Sequence, residues 1–249
     1  VDRRIPFDAL HNFRDLGGRP AADGRRVRPG RLYRSDSLGK LGTDTADWTR
    51  FLSLGIRTVV DLRYPWEIEA RGRVPEHPSF GYHNLSIEHR PYDQAALAAD
   101  VAPGPFLAER YMEVAEDGVK EIAAALHLVA DAARAGTPLV FHCASGKDRT
   151  GLLAALVLGL LDVPRETIVE DFALTDRAAP ALLAEWTARN DGRVPDWPAF
   201  GRAPAEVMEL FLTALTARHG SLAAYVAHVL GTDAQVVSDT LRAHLLTPA

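Results

Sequence analysis

Cysteine occurs once in the 249 residues, at position 143. A single thiol excludes an internal disulfide and a cysteine-based zinc site, which needs several Cys or His at ligand spacing. A surplus of positive charge is also missing. The formal net charge is −5, which leaves no electrostatic footprint for nucleic acid. Any attraction for an anion must therefore be local to a pocket. Long apolar runs are scarce too, and the stretch Leu152–Leu161 is too short to span a bilayer. No transmembrane segment, secretory signal, internal repeat or low-complexity tract is visible. With Val1 as the first residue, cytoplasm and secretion both remain open. The apolar and charged fractions, 47% and 24%, are ordinary for a soluble globular domain.

What is present is concentrated around the lone thiol, in "VFHCASGKDRTGLLAALVLGLL", residues 140–161. Leu139, Val140 and Phe141 follow Thr137-Pro138 and read as a short buried strand. From Leu152 onward apolar residues cover every face, as in a helix sunk in a core. Cys143 to Asp148 must then be a tight strand-to-helix connection, with backbone freedom at Gly146 and close helix approach at Gly151. Inward N–H groups of such a loop and the positive end of the helix together make an anion cup. A cysteine at its base is expected to be a thiolate nucleophile. Arg149 offers a planar fork for two non-bridging phosphoryl oxygens. A lone cysteine is more often a small buried hydrophobe, but His-Cys-x5-Arg-Thr-Gly between strand and helix reverses that reading. A nucleotide-binding Gly-x4-Gly-Lys-Ser/Thr loop is excluded, since it needs glycine at Phe141 and a hydroxyl at Asp148.

"HCASGKDRTG" resembles the signature loop of the protein tyrosine phosphatase superfamily. Its Gly-Lys-Asp-Arg form is similar to a bacterial branch, with mycobacterial members, of dual protein/phosphoinositide phosphatases. "HNFRDLGG" (11–18) is similar to that branch's N-terminal signature, and "LYRSDSL" (32–38) and "VVDLR" (59–63) extend the likeness over nearly the whole chain. The resemblance implies a cysteine-dependent, metal-independent phosphomonoesterase with no cofactor. It would act on phosphotyrosine, and on phosphoserine/threonine and phosphoinositide headgroups as further options, through a cysteinyl-phosphate. A non-catalytic phosphate- or phosphoinositide-binding module is the alternative.

Roles follow from chemistry and resemblance together. Cys143 is the expected nucleophile and Arg149 the clamp, with Ala144, Ser145, Gly146, Lys147 and Thr150 contacting substrate. Thr150 is read as hydrogen-bonding the thiolate or, equally, as a helix-start hydroxyl. Lys147 is placed to meet a second phosphate, against the plain reading of a solvated lysine. His142 is expected to order the loop. The general acid must be a carboxyl within hydrogen-bond reach. The resemblance assigns it to Asp148, with Asp61 as rival; the plainer reading of Asp61 is a strand-end carboxylate fixing Arg14, Arg34 or Arg63. Asp100 and Asp117 fall in no recognisable acid-loop motif. Asn12, Arg14 and Asp15 are too polar for core, whereas Phe13 and Leu16 look buried, so the polar three are expected to brace the active loop from beneath.

The alternation of strands and helices predicts an α/β fold, a central mostly parallel sheet flanked by helices. Strands are expected at "LYRS", "RTVVDLR" and 81–87, a hairpin around "AADGRRVRPGR", and helices over 43–54, 105–116 and 118–135. After the signature helix the chain reads as almost all helical, over 164–175, 177–190, 204–218, 221–230 and 233–246. Residues 1–249 form one expected domain, with a helical lid or insertion within 164–220. The Gly/Pro-rich loop 190–204 is read as carrying an exposed tryptophan.

Overall fold

The computed structural model describes residues 3–248. Its sheet has five strands: β1 Arg14–Asp15, β2 Leu32–Ser35, β3 Thr58–Asp61, β4 Gly81–Asn84 and β5 Leu139–His142. They lie in the order β1-β2-β5-β3-β4, and every pairing is parallel except β1 with β2. The expected α/β sheet is therefore present, with one antiparallel edge supplied by the "FRDL" segment.

Strand alternation sorts side chains to the two faces. Leu139 and Phe141 of β5 and Val60 of β3 enter a large core. Val140, Val59 and Tyr33 point the other way, into a smaller one. The smaller core is closed by α1, Ala46–Ser53, through Trp48 and Phe51. This helix begins later than position 43, because the Thr45 hydroxyl accepts the Trp48 N–H and caps it. The large core is closed by α3 Pro103–Asp117, α4 Val119–Ala135, α5 Asp148–Leu160, α6 Arg165–Ala173, α8 Ala205–His219, α9 Leu222–Leu230 and α10 Ala234–Leu245. Two helices remain at the carboxyl ends of the strands: α2 Pro65–Arg71 and α7 Ala179–Arg189.

Three expectations are corrected. The strand at 81–87 stops at Asn84, whose side-chain amide donates to the Asp61 and Arg63 carbonyls and turns the chain away. The "AADGRRVRPGR" hairpin is shorter and begins earlier than expected: Pro20 bridges Arg26, the Ala21 N–H donates to the Arg25 carbonyl and the Val27 N–H to the Arg19 carbonyl, and Val27 also bridges Leu246 on its other side. Trp197 is buried, at 1% exposure. Its indole Nε1 donates to the Val101 carbonyl at 2.8 Å and its ring meets Phe106 edge-on. A polar partner for the N–H is what allows the ring inside.

Candidate active site

Three parallel strands end together: Ser35 of β2 and Asp61 of β3 both lie in register with His142 of β5. Open α/β sheets bind ligands beyond such carboxyl ends. The chain leaves β5 at Cys143, folds through Ala144–Lys147 and enters α5 at Asp148. Gly146 sits at φ +68°, and a Cβ there would lie 2.5 Å from the Ser35 carbonyl oxygen, so glycine is required by both conformation and space. At Gly151 a Cβ would meet the Phe172 ring at 2.8 Å, which lets α5 close on α6.

The loop is held from outside by the polar residues of the N-terminal motif. The Asn12 amide donates to the Ser145 and Gly146 carbonyls at 2.9 and 3.1 Å. Arg14 donates to the Asn12 side-chain oxygen and orients it. Arg34 donates to the Gly146 carbonyl at 2.7 Å, and the Ser37 N–H to the Ala144 carbonyl at 3.1 Å. Fixing these carbonyls outward leaves the loop's N–H groups for the interior. Arg14, Arg19 and Arg34 converge on Asp171 of α6. Burial opposes ionisation of Asp171, but the Arg14, Arg34 and Arg19 charges outweigh it and hold its carboxyl below the usual range. The Asp15 backbone carbonyl accepts from Arg19 at 3.3 Å, but the Asp15 side chain stands apart from this brace. Its two oxygens accept the Gly17 and Gly30 N–H groups, both at 2.7 Å, and fix the turn after β1.

Cys143 is at the base, 1% exposed. The Nδ1–H of His142 donates to the Cys143 carbonyl at 3.2 Å, and Nε2 lies 3.5 Å from Asp61. Burial lowers the His142 pKa, against the pull of Asp61. Thr150 has a buried hydroxyl without a hydrogen-bond partner among the described residues, and it does not cap α5, whose N-cap is Lys147. Lys147 is 1% exposed rather than solvated. Its ammonium donates to Gln94 at 3.2 Å and lies 3.4 Å from Asp148.

The two candidate acids differ sharply. Asp148 lines the cleft above the loop. One of its oxygens accepts the Tyr111 hydroxyl at 2.8 Å, the other the Gln94 amide at 3.3 Å. Asp61 has no exposure and accepts from Arg63 at 2.9 and 2.7 Å and from the Tyr82 hydroxyl at 3.0 Å. Desolvation would raise its pKa, yet His142 and the Arg63 guanidinium hold it down to about 2.

Arg149 is gripped by a carboxylate that sequence reading missed. Glu67 of α2 accepts from Nη1 and Nη2 at 2.5 and 3.1 Å, and the same residue accepts the Tyr64 N–H that starts its helix. A second acid, Glu88, lies 3.5 Å from Nε. Burial opposes the charge on Arg149, but Glu67, Cys143 and Glu88 raise its pKa, so it stays a cation. "PWEIEA" signalled only a helix start, and nothing in "SIEHRPY" marks Glu88; both acquire their place through the fold.

Above the loop is a cleft of about 270 Å³. Its walls are aromatic, with Tyr64, Trp66, Tyr92, Trp186 and Phe200, and Asp148 and Arg149 lie at its floor. The α7 helix forms one rim through Leu182, Glu185, Trp186 and Arg189. Among the described residues no group of three or more His, Cys, Asp or Glu is placed to hold a metal, and no helix is long and apolar enough to cross a membrane.

A relative from Cupriavidus necator, placed by its name among the tyrosine-protein phosphatases, is 32% identical over 97% of this chain and 88% of its own. The triple specificity protein phosphatase PtpB of Mycobacterium tuberculosis is 34% identical over 70% of this chain and 69% of its own. A tyrosine-protein phosphatase of Nostoc commune is 26% identical over 84% and 73%. The model of the tyrosine phosphatase family matches residues 5–247. Matched over residues 5–247 and so similar to these relatives, the chain belongs to the tyrosine phosphatase family of cysteine-dependent hydrolases.

Proposed function

We propose that the protein hydrolyses phosphotyrosine through a cysteinyl-phosphate, with phosphoserine/threonine and phosphoinositide headgroups as secondary substrates. The observation that carries this reading is the Cys143–Arg149 loop at the floor of an aromatic-walled cleft. An aryl ring packs against such walls while its phosphate reaches the loop. The secondary substrates are supported by the name of the M. tuberculosis relative.

In the first step the Cys143 sulfur attacks phosphorus and the bond to the leaving oxygen breaks, that oxygen taking a proton from Asp148. In the second, Asp148 accepts a proton from water as water attacks phosphorus, and the thiolate leaves. Arg149 and the loop N–H groups hold the equatorial oxygens throughout. Asp148 is the acid because it faces the cleft, and the oxygen with the longer 3.3 Å contact to Gln94 is the one to carry the proton. Asp61 is assigned to fixing Arg63 and Tyr82, saturated as it is by those donors. Lys147, under the cleft rather than in its lining, supports Gln94 and Asp148.

The test is a comparison of kcat/KM on a phosphotyrosine peptide, a phosphoserine peptide and a phosphoinositide series, run in EDTA, with phosphocysteine trapping at position 143. The peptide bearing phosphotyrosine is expected to lead. Robust turnover by Cys143→Ser would remove the covalent mechanism, because a serine hydroxyl in this cup is a poor nucleophile and leaving group.

A further inference from the structure

Glu88 follows β4, lines the main cleft and also the small cavity behind it, and has a side chain only 12% exposed. Its position relative to Arg149 is specific. A guanidinium carries its donors along fixed edges. Glu67 takes Nη1 and Nη2, so the edge bearing Nε is the one left to a phosphoryl group, and Glu88 stands 3.5 Å from that nitrogen.

The groups facing Glu88 leave it short of positive charge. From α2 come Glu67 and Tyr64, from α5 Asp148 and Arg149, from α3 Arg110 and Tyr111, and from the preceding loop Tyr92. Arg149 is matched by Glu67 at 2.5 Å, and Arg110 by Glu113 at 2.5 Å. Burial pushes the Glu88 carboxyl up to about 7; Arg149 pulls it down most, Arg110 less, and Asp148 and Glu67 add to the rise.

We propose that Glu88 is a further substrate-contacting residue: as the neutral acid it donates a hydrogen bond to a non-bridging oxygen of the bound phosphoryl group, and as a carboxylate it competes with that group for the Nε edge of Arg149. This rests on the phosphatase reading and adds to it. Proton transfer to the leaving oxygen stays with Asp148; Glu88 decides whether a dianion is accepted beside the clamp. The linkage is reciprocal. A bound dianion raises the Glu88 pKa, and ionised Glu88 weakens the dianion.

The test uses sulfate, which stays a dianion across the range, and Cys143→Ser, in which no thiol titrates. Sulfate affinity is expected to fall by up to about thirtyfold between pH 6 and pH 8.5, the limit set by one linked proton on a carboxyl near 7. Adding Glu88→Gln, which keeps a donor at every pH, should leave affinity flat and at its acid-side strength. In parallel, the Glu88 carboxyl followed by carbon NMR in Cys143→Ser alone should titrate higher with sulfate bound, a readout that needs no variant at 88. A pH-dependent fall that persists with glutamine at 88, or a Glu88 titration indifferent to sulfate, overturns the proposal while phosphocysteine trapping leaves the phosphatase reading standing. Failure of sulfate to bind at any pH overturns the anion cup, and both readings with it.

Discussion

Asp148 and Asp61 both stand at carboxyl ends of the central sheet, and their surroundings separate them. The Asp148 carboxylate faces the cleft with one strong and one long hydrogen bond, so it can exchange a proton with a leaving oxygen. Asp61 is enclosed and held ionised by Arg63. Asp148→Asn should therefore lower kcat by about 10²–10⁴-fold for phenyl phosphate or a phosphoserine peptide, the usual yield of general acid catalysis. For an activated aryl phosphate, whose leaving group needs no proton, the loss should be much smaller. Asp61→Asn should reduce all substrates alike, by letting Arg63 and His142 shift beneath the loop. Steady-state kinetics over a leaving-group series distinguishes the two, and a leaving-group-dependent loss at Asp61 would transfer the acid to that residue. Arg149 carries a related expectation. Since Glu67 pre-orients its fork, Glu67→Gln should raise KM for every phosphomonoester severalfold, on the scale of one weakened charged hydrogen bond worth about 1 kcal/mol.

The N-terminal segment, β2 and α6 act on the loop as one polar brace, with Asp171 at its centre among Arg14, Arg19 and Arg34. Removing the charge leaves three buried guanidinium groups around a neutral amide. Breaking a buried ionic cluster in this way costs about 3–5 kcal/mol, so Asp171→Asn should lose an amount of that order in urea unfolding at pH 7. The pH dependence has a definite sign. The folded-state pKa of Asp171 is below the unfolded value of 3.8, so its contribution is complete above that value and is lost as pH falls through the folded one. The wild type should lose stability steeply in acid, and Asp171→Asn should flatten that slope; an unchanged slope would show that other carboxylates govern acid unfolding. This brace marks how far the chain could be read before it folded. The covalent order Cys143 to Arg149 and the polar character of Asn12 and Arg14 were legible, because loop chemistry and misplaced polarity are local. Asp171, Glu67 and Glu88 were not, because each sits in an ordinary helical or irregular stretch and meets its arginine only across the sheet. Asp15 misled for the same reason, as its short reach could equally serve a turn. Trp197 did so because Gly and Pro around it signal surface, while Val101, 96 residues away in sequence, supplies its partner.

Across the whole molecule, the cleft is closed on one side by a helix that packs shallowly. In α7 only Ala179 is fully buried, whereas α5 is buried along nearly its entire length. The rim made by α7 is tied to the N-terminal half by Glu185, which binds His11 at 2.7 Å and Lys40 at 3.0 Å. Lys40 also bonds Asp36 at 2.7 Å, and Asp36 accepts the His11 and Asn12 N–H groups, so the tether ends on the same brace that holds the loop. Partly exposed ion pairs of this kind contribute about 0.2–1 kcal/mol each. That is enough to bias a helix held by little else, and too little to alter global stability. Access to Cys143 is the quantity it should control. With no second cysteine in the chain, an oxidised Cys143 finds no disulfide partner and proceeds along the sulfenic to sulfinic series. Peroxide inactivation should thus be first order, slowed by bound phosphate, and reversed by added thiol only at early times. Glu185→Ala should accelerate it about two- to fivefold, the factor that ~0.4–1 kcal/mol of lost tether allows. The thermal midpoint should stay near that of the wild type, and bound phosphate should slow both proteins, because it shields the sulfur itself rather than the rim. An inactivation rate that ignores Glu185 would mean that the cleft admits peroxide past α7 as it stands, and that the enclosure of the thiol comes from the loop alone.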